Sequence, residues 1–406
     1  MALMRRSATC LKHSLHLHQI RTFVPTPEHE ALRENLLKLI EKEINPRCAQ
    51  WEKEKRFPAK EVFKILGDAG YLGISKPVEY GGMGLDISYE AVAAEAYAHI
   101  DSAGVAMGIG IQCDIATPSL VKHGSEKLKE LFLRPTISGE KVACLGVSEV
   151  GGGSDVASLR TTARREGDEW VINGGKMWTT NGAQADWMCL LANTSSGDPH
   201  KNKSLFCLPM DTPGVNVHRI IDKMGMHASD TAEITFEDAR IPQDYLIGEQ
   251  GKGFLYQMQT FQNERIGIAA GTIAALDRCM AATIEYTSQR KAFGKSILDN
   301  QYVHYKLAEF QTELECVRAL YYKCIDDFLA GEDITPLATM LKLKSARLAR
   351  QITDGCLQFW GGMGYTDEVI VSKMHRDLRL MSIGGGADEV MLSILCKYMG
   401  ISPDMR

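Results

Sequence analysis

The sequence predicts an α+β protein: an N-terminal helical domain, a central antiparallel β domain and a C-terminal four-helix bundle. Three observations carry this. Apolar residues recur at three-to-four spacing before about residue 140 and again after about residue 250, the period of amphipathic helices. Between these zones the chain breaks into short β-rich runs separated by turn residues. Its 406 residues, 45% apolar and 24% charged, are enough for a large core and more than one domain.

The elements follow in order. Residues 1–23, MALMRRSATCLKHSLHLHQIRTF, hold Arg5, Arg6, Lys12 and Arg21, and the first acid is Glu28. Leu11, Leu15 and Leu17 stand among Ser, His and Lys, the composition of an amphipathic mitochondrial presequence, so the matrix is the expected location. A basic tail is the alternative, and the histidines His13, His16 and His18 are not read as a metal site. Removing the four basic residues would take the formal charge from −5 to −9.

Residues 24–140 read as the N-terminal helical domain. Ala31-Leu32, Leu36-Leu37 and Leu39-Ile40 mark one helix, and a hinge at Tyr80–Gly84 precedes an alanine-rich helix over Ser88–Ala98. Residues 141–250 read as the β domain. Its runs are VACLGVS, TTARR and EWVIN around the turn Glu166-Gly167-Asp168, then DWMCLLANT, SLFCLPM, VNVHRI and AEITFEDARI. Residues 251–406 read as the bundle, with helices expected over Phe254–Arg290, Asp299–Ala330, Pro336–Phe359 and from about Glu389.

Several function classes are set aside by composition. The charge of −5 and the lack of a long basic stripe argue against a nucleic-acid partner. No run of about 18 uninterrupted apolar residues occurs, so no membrane span is expected. The 11 cysteines are scattered without Cys-x-x-Cys or Cys/His ligand spacing, which suggests buried thiols and no metal.

Six stretches could carry chemistry. LGVSEVGGGSD (145–155) ends a strand in glycines whose backbone N–H groups can cup an anion or a carbonyl, although a plain turn reads as well. KMWTTNG (176–182) offers a flat indole beside two hydroxyls, suited to a heteroaromatic ring or to a simple core strand. FQNERIGIAAG (261–271) places Glu264 on a helical face with Thr260, Phe261, Gly267, Ile268 and Gly271. A carboxylate among small and apolar neighbours loses hydration, which raises its pKa toward that of a general base. RKAFG (290–294) and QFWGGMGY (358–365) supply a guanidinium and close-approach glycines. LMSIGGGADEVM (380–391) is a glycine loop before the last helix.

In their order these motifs resemble the acyl-CoA dehydrogenase family, from about Pro25 to the end. The family's SEPGAGSD-type loop stands here as Ser148–Asp155 with Val150 for Pro, and its WIT-N-G motif as Trp178–Gly182. Arg290–Gly294 matches R-x-x-F-G, and Gln358–Tyr365 matches Q-x-x-GG-x-GY. The resemblance implies non-covalent FAD between the β domain and the bundle. Backbone and hydroxyl groups of Leu145, Val147, Ser148, Gly153, Ser154, Trp178, Thr179 and Thr180 would line it, with Ser148 and Thr180 on the isoalloxazine. Arg290, Phe293, Gln301, Gln358, Gly361 and Gly362 would serve the FAD of a neighbouring subunit, which implies a homotetramer. Ala387 and Glu389 would also lie near FAD, Ala387 lacking the threonine hydroxyl usual there.

Many relatives carry the base in the C-terminal loop. Aligned on Asp388-Glu389-Val390, that position is Gly385, so the resemblance assigns the base to Glu264, as in the isovaleryl-CoA and long-chain branches. Ser154, Phe261, Arg265, Gly385 and Gly386 would touch substrate, and Gly385 would leave space for a long or branched acyl chain. The implied reaction is α,β-desaturation of an acyl-CoA to a trans-2-enoyl-CoA in fatty-acid or branched-chain catabolism, with electrons passing to electron-transfer flavoprotein. A backbone N–H near the base would polarise the thioester carbonyl. The rival readings are an acyl-CoA oxidase or a nitroalkane oxidase, which would consume oxygen, and a non-catalytic assembly factor, which would be colourless.

Overall fold

A computed structural model describes residues 23–403; the expected presequence otherwise lies outside the described residues. Phe23, placed with that segment by the sequence, is buried, its ring meeting His29 and Tyr322 edge-on. It packs with the folded body.

The N-terminal domain is helical through Pro27–Leu39, Asn45–Glu54, Ala59–Asp68, Ile87–Tyr97 and Ala103–Gly110, followed by a π-helical turn over Ile111–Ala116. The alanine-rich helix starts where the Asp86 carboxylate accepts the Ser88 N–H at 2.8 Å, an N-cap that satisfies a free donor of the first turn. Phe57, Phe63 and Leu66 are fully buried in this domain's core. Each such side chain stabilises the fold by about 1.5–3 kcal/mol.

Eight strands build the β domain: β1 (Ala143–Gly146), β2 (Thr162–Glu166), β3 (Glu169–Thr180), β4 (Trp187–Asn193), β5 (Lys203–Pro209), β6 (Val215–Ile220), β7 (Thr231–Pro242) and β8 (Leu246–Ile247). Their order is β6-β7-β3-β2-β4-β5-β8, with β1 beside β4. Pairing is antiparallel except that β1 runs parallel to β4 and β2 meets β4 at one parallel pair, Thr162 with Asn193. A parallel pair needs a long connection, and the chain between β1 and β4 supplies it. In β4 six successive residues are buried, the unbroken apolar run of a strand covered on both faces. Trp187 there is fully buried and gives its indole N–H to Thr136 Oγ1 at 2.9 Å, tying the sheet to the N-terminal domain.

The C-terminal domain holds a first helix Gly253–Gln289, a second Gln301–Leu329, a third Thr335–Trp360, a short fourth Ile370–Leu378 and a last Asp388–Tyr398. The short helix Ile370–Leu378 goes beyond the sequence expectation, because the segment is brief and strongly charged. The first helix packs mainly on the third and on Ile87–Tyr97. Gly267 and Gly271, four apart and therefore on one face, allow the latter approach; a Cβ at Gly271 would sit 3.6 Å from the Ala94 carbonyl. Ala103–His123 and Gly253–Gln289 have the length and hydropathy of membrane spans, with 61% of each window buried inside the protein. The ten described cysteines are free, and eight are buried.

Candidate active site

Glu264 lies in the middle of the first bundle helix and is 8% exposed. Its Oε2 is buried without a hydrogen-bond partner among the described residues. Burial pushes the carboxyl up to about 7, while the Arg265 guanidinium and the Lys342 ammonium pull in the opposite direction. An unpaired buried carboxyl oxygen costs stability, and this one is poised to gain or lose a proton near neutral pH. Of its expected neighbours, Thr260 is occupied by Ser119 at 3.0 Å, and Phe261 is half-buried.

The glycine loop sits directly against this carboxyl. Gly385 has φ +61°, a backbone conformation that side chains disfavour. A Cβ there would stand 2.6 Å from Ile268 Cδ1 and 3.2 Å from Glu264 Oε1. The sequence reading takes Gly385 as space for a branched acyl chain. In the structure Ile268 and Glu264 stand where a side chain at this position would go. Arg265, expected at the substrate, is buried and donates to Thr339 Oγ1 on the third helix at 3.0 Å, while its Nε has no partner among the described residues.

Sequence reasoning missed Lys342, fully buried on the third helix, whose Nζ donates to the Gly386 carbonyl and so fastens the loop. Burial lowers this lysine to about 8, while Asp388 and Glu264 favour its charge. Its neighbours three and four positions away, Ala338, Thr339, Ser345 and Ala346, are small, and that pattern could have flagged it. Gln257 was missed too. It is fully buried, both amide atoms lack partners among the described residues, and it lies seven residues, two turns, before Glu264 on the same face.

The two β-domain motifs lie side by side. Met177 N donates to Ser148 O at 2.8 Å, and the buried Lys176 Nζ bonds Val147 O at 3.0 Å and Glu149 at 2.8 Å. Ser148, Thr180 and Leu145 are half-buried, and Gly153 and Ser154 are exposed on the loop above. Between Lys176 and Thr179 the pairing of β3 with β7 is irregular, and Trp178 adopts φ +63°, which turns its indole outward to 56% exposure. Thr179 faces inward, its Oγ1 buried and unpartnered among the described residues. A flat exposed wall beside half-buried hydroxyls fits the edge of an isoalloxazine ring. Ala387 is the N-cap of the last helix and offers no side-chain cap; Glu389 is exposed on that helix's first turn.

The remaining motif residues gather elsewhere. Arg290 caps the far end of the first bundle helix, 26 residues beyond Glu264, which is about 39 Å along the axis. Tyr286 stacks on Trp360 at 4.0 Å and joins that end to the third helix. Arg290, Phe293, Gln301, Gln358, Gly361 and Gly362 are all exposed there, Phe293 completely, with Tyr302 and Tyr365 beside them in sequence. So the structure separates the sequence-predicted cofactor residues into two groups.

Comparison with known proteins agrees with this architecture. Residues 26–140, 144–239 and 251–400 match the N-terminal, middle and C-terminal domains of acyl-CoA dehydrogenase respectively. The mitochondrial short-chain specific acyl-CoA dehydrogenase of Bos taurus is 35% identical over 385 residues, covering 94% of this chain and 93% of its own. The mitochondrial long-chain specific enzyme of Mus musculus is 34% identical over 374 residues, 92% of this chain and 86% of its own. The crystal structure of acyl-CoA dehydrogenase from Geobacillus kaustophilus superposes with a TM-score of 0.89 at 33% identity, covering 93% of this chain and 100% of that one.

Proposed function

The chain belongs to the acyl-CoA dehydrogenase family, and from that premise we propose that it desaturates an acyl-CoA between its α and β carbons with Glu264 as the base. One observation carries the assignment: a buried, unpartnered carboxyl with its pKa raised to about 7, packed against a glycine loop that has no carboxylate at Gly385. A base near pH 7 is ionised enough to act and basic enough to take a proton. Glu264 takes the α-proton; Lys342, through the Gly386 carbonyl, holds the loop against it; Gln257, on the same face, is placed to bond a polar group of the thioester. FAD, when bound, supplies the acceptor for the β-hydrogen. Ser148 and Thr180 would hold its ring edge, with Trp178 as a wall. Electrons would then pass to electron-transfer flavoprotein in the mitochondrial matrix, mitochondria being the compartment named for the mammalian relatives.

The separation of about 39 Å between Glu264 and Arg290 supports a homo-oligomer, a tetramer by family resemblance. One FAD with its ring at Glu264 does not reach the Arg290 end of the same chain. The exposed cluster there would therefore complete the site of a second copy. Mixing FAD-loaded protein with acyl-CoAs under anaerobic conditions tests the whole reading: flavin absorbance should bleach, and bleaching should vanish in Glu264→Gln. A protein that binds FAD but is bleached by no acyl-CoA would overturn it.

A further inference from the structure

A cavity of about 130 Å³ opens beside the first bundle helix, and Gly267, one turn beyond Glu264, forms part of its wall. Ile87, Ala91, Ala94, Pro118, Val121 and Ile266 make it largely apolar. At one side it is charged: Ser75, Lys76, Glu90 and Asp114 also line it. Lys76 is 5% exposed and its Nζ lies 3.4 Å from Glu90 Oε1 and 3.3 Å from Ser75 Oγ; Ser75 also donates to Glu90. Glu90 is thus matched, and Lys76 keeps one N–H to give. Asp114 has no hydrogen-bond or ion-pair partner among the described residues. It belongs to the π-helical turn Ile111–Ala116, an irregularity frequent at functional positions. Its Oδ2 is 3.9 Å from where a Cβ at Gly267 would stand, which places the carboxyl beside the first bundle helix. Burial first, then Glu90, raises the Asp114 carboxyl to about 7; the Lys76 ammonium opposes this, and the Glu264 charge adds a smaller push upward.

Resting on the dehydrogenase reading, we propose that this cavity receives the far end of the acyl chain and selects an acyl-CoA that carries a hydroxyl there. The chemistry discriminates among chain ends. A methyl end would dry Asp114 without giving it a donor, which is costly. A carboxylate end would meet Glu90 and Asp114, and an ammonium end, though it could donate to Asp114, cannot accept the free N–H of Lys76. A hydroxyl alone does both tasks, donating to Asp114 and accepting the free N–H of Lys76. The apolar walls accommodate the methylenes in between.

The test uses FAD-loaded Glu264→Gln, which holds substrate without turnover, and calorimetric titration with butyryl-, hexanoyl- and octanoyl-CoA, each beside its ω-hydroxy and ω-carboxy forms. At one of these lengths the hydroxylated chain should bind about tenfold or more tighter than its parent, and the carboxylated chain weakest. Asp114→Leu should abolish or invert the preference; if that variant does not fold, the ratios in the Glu264→Gln protein decide alone. Parent chains binding as tightly as hydroxylated ones at every length would overturn the proposal. Bleaching of the unsubstituted protein separates the two layers. If alkyl and hydroxyalkyl chains bleach the flavin equally, only the chain-end assignment fails. If no acyl-CoA bleaches it, the dehydrogenase reading fails as well.

Discussion

Replacing Glu264 by Gln should change stability in a way that depends on pH, and the size of that change follows from the site. Burial moves the carboxyl from 4.5 to about 7. At 1.36 kcal/mol per pH unit, the ionised form is about 3 kcal/mol costlier in the folded protein than in the unfolded chain. Below pH 4.5 the group is protonated in both states and its contribution is fully present; as pH rises through about 7 that contribution is lost. The substituted amide never ionises, so the variant escapes the loss. That amide adds a cost of about 1–3 kcal/mol for unmet donors, but this offset is the same at every pH. Melting temperatures of FAD-loaded protein, taken at pH 5 and pH 8 at one ionic strength, isolate the ionisation. The variant should gain on the unsubstituted protein by a few degrees between the two, while its acyl-CoA bleaching falls by roughly 10²–10⁴ or more. A difference in melting temperature that is the same at both pH values would show that Glu264 titrates like an exposed carboxylate.

Three further outcomes are expected. The rate of flavin reduction should climb about tenfold per pH unit and level off near pH 7, and Lys342→Met, which removes a cation that holds Glu264 down, should move that limb upward; stopped-flow rates across pH read both, and a limb near 4.5 would contradict the burial argument. Gly385→Ala should cost about 1–2 kcal/mol for its left-handed backbone and slow bleaching at least tenfold through the clash with Ile268 and Glu264; a fully active, equally stable variant would show the loop free to move aside. Arg290→Ala should weaken FAD retention during gel filtration and recover with excess FAD, whereas unchanged retention would remove the exposed helix end from the cofactor site.

The fold was legible because each zone obeys one period. Helix ends after Gly253 fall within about two residues of those read from apolar spacing, and every β run became a strand. The part that was not legible depends on long-range pairing. Nothing in the local sequence says that β1 would run parallel to β4, since that follows from where the N-terminal domain delivers the chain. The site behaves likewise. The small, apolar helical face of Glu264 made it a candidate, and the resemblance, with no carboxylate at Gly385, assigned the base to it. Lys342 and Asp114 come from the third bundle helix and a π-helical turn of the N-terminal domain; small neighbours hint at a buried Lys342, but which groups the two residues face shows only when those elements converge on the first bundle helix.

Gly385 shows the limit most clearly, because the side chains that crowd it, Glu264 and Ile268, lie far away in sequence. A glycine opposite a base looks like a vacancy when only the loop is considered. In three dimensions the vacancy is already occupied: a side chain at 385 and a carboxylate at 264 compete for the same few ångströms, with Ile268 closing the third side. The two positions therefore form one unit, in which a base on the helix demands glycine in the loop. Moving the carboxylate, as in Glu264→Gly with Gly385→Glu, frees the space that Oε1 held but leaves both the φ of +61° and the Ile268 methyl in place. Recovery of bleaching should then require Ile268→Val as a third change. If the double variant bleaches as fast as the triple, the steric account of this loop is wrong.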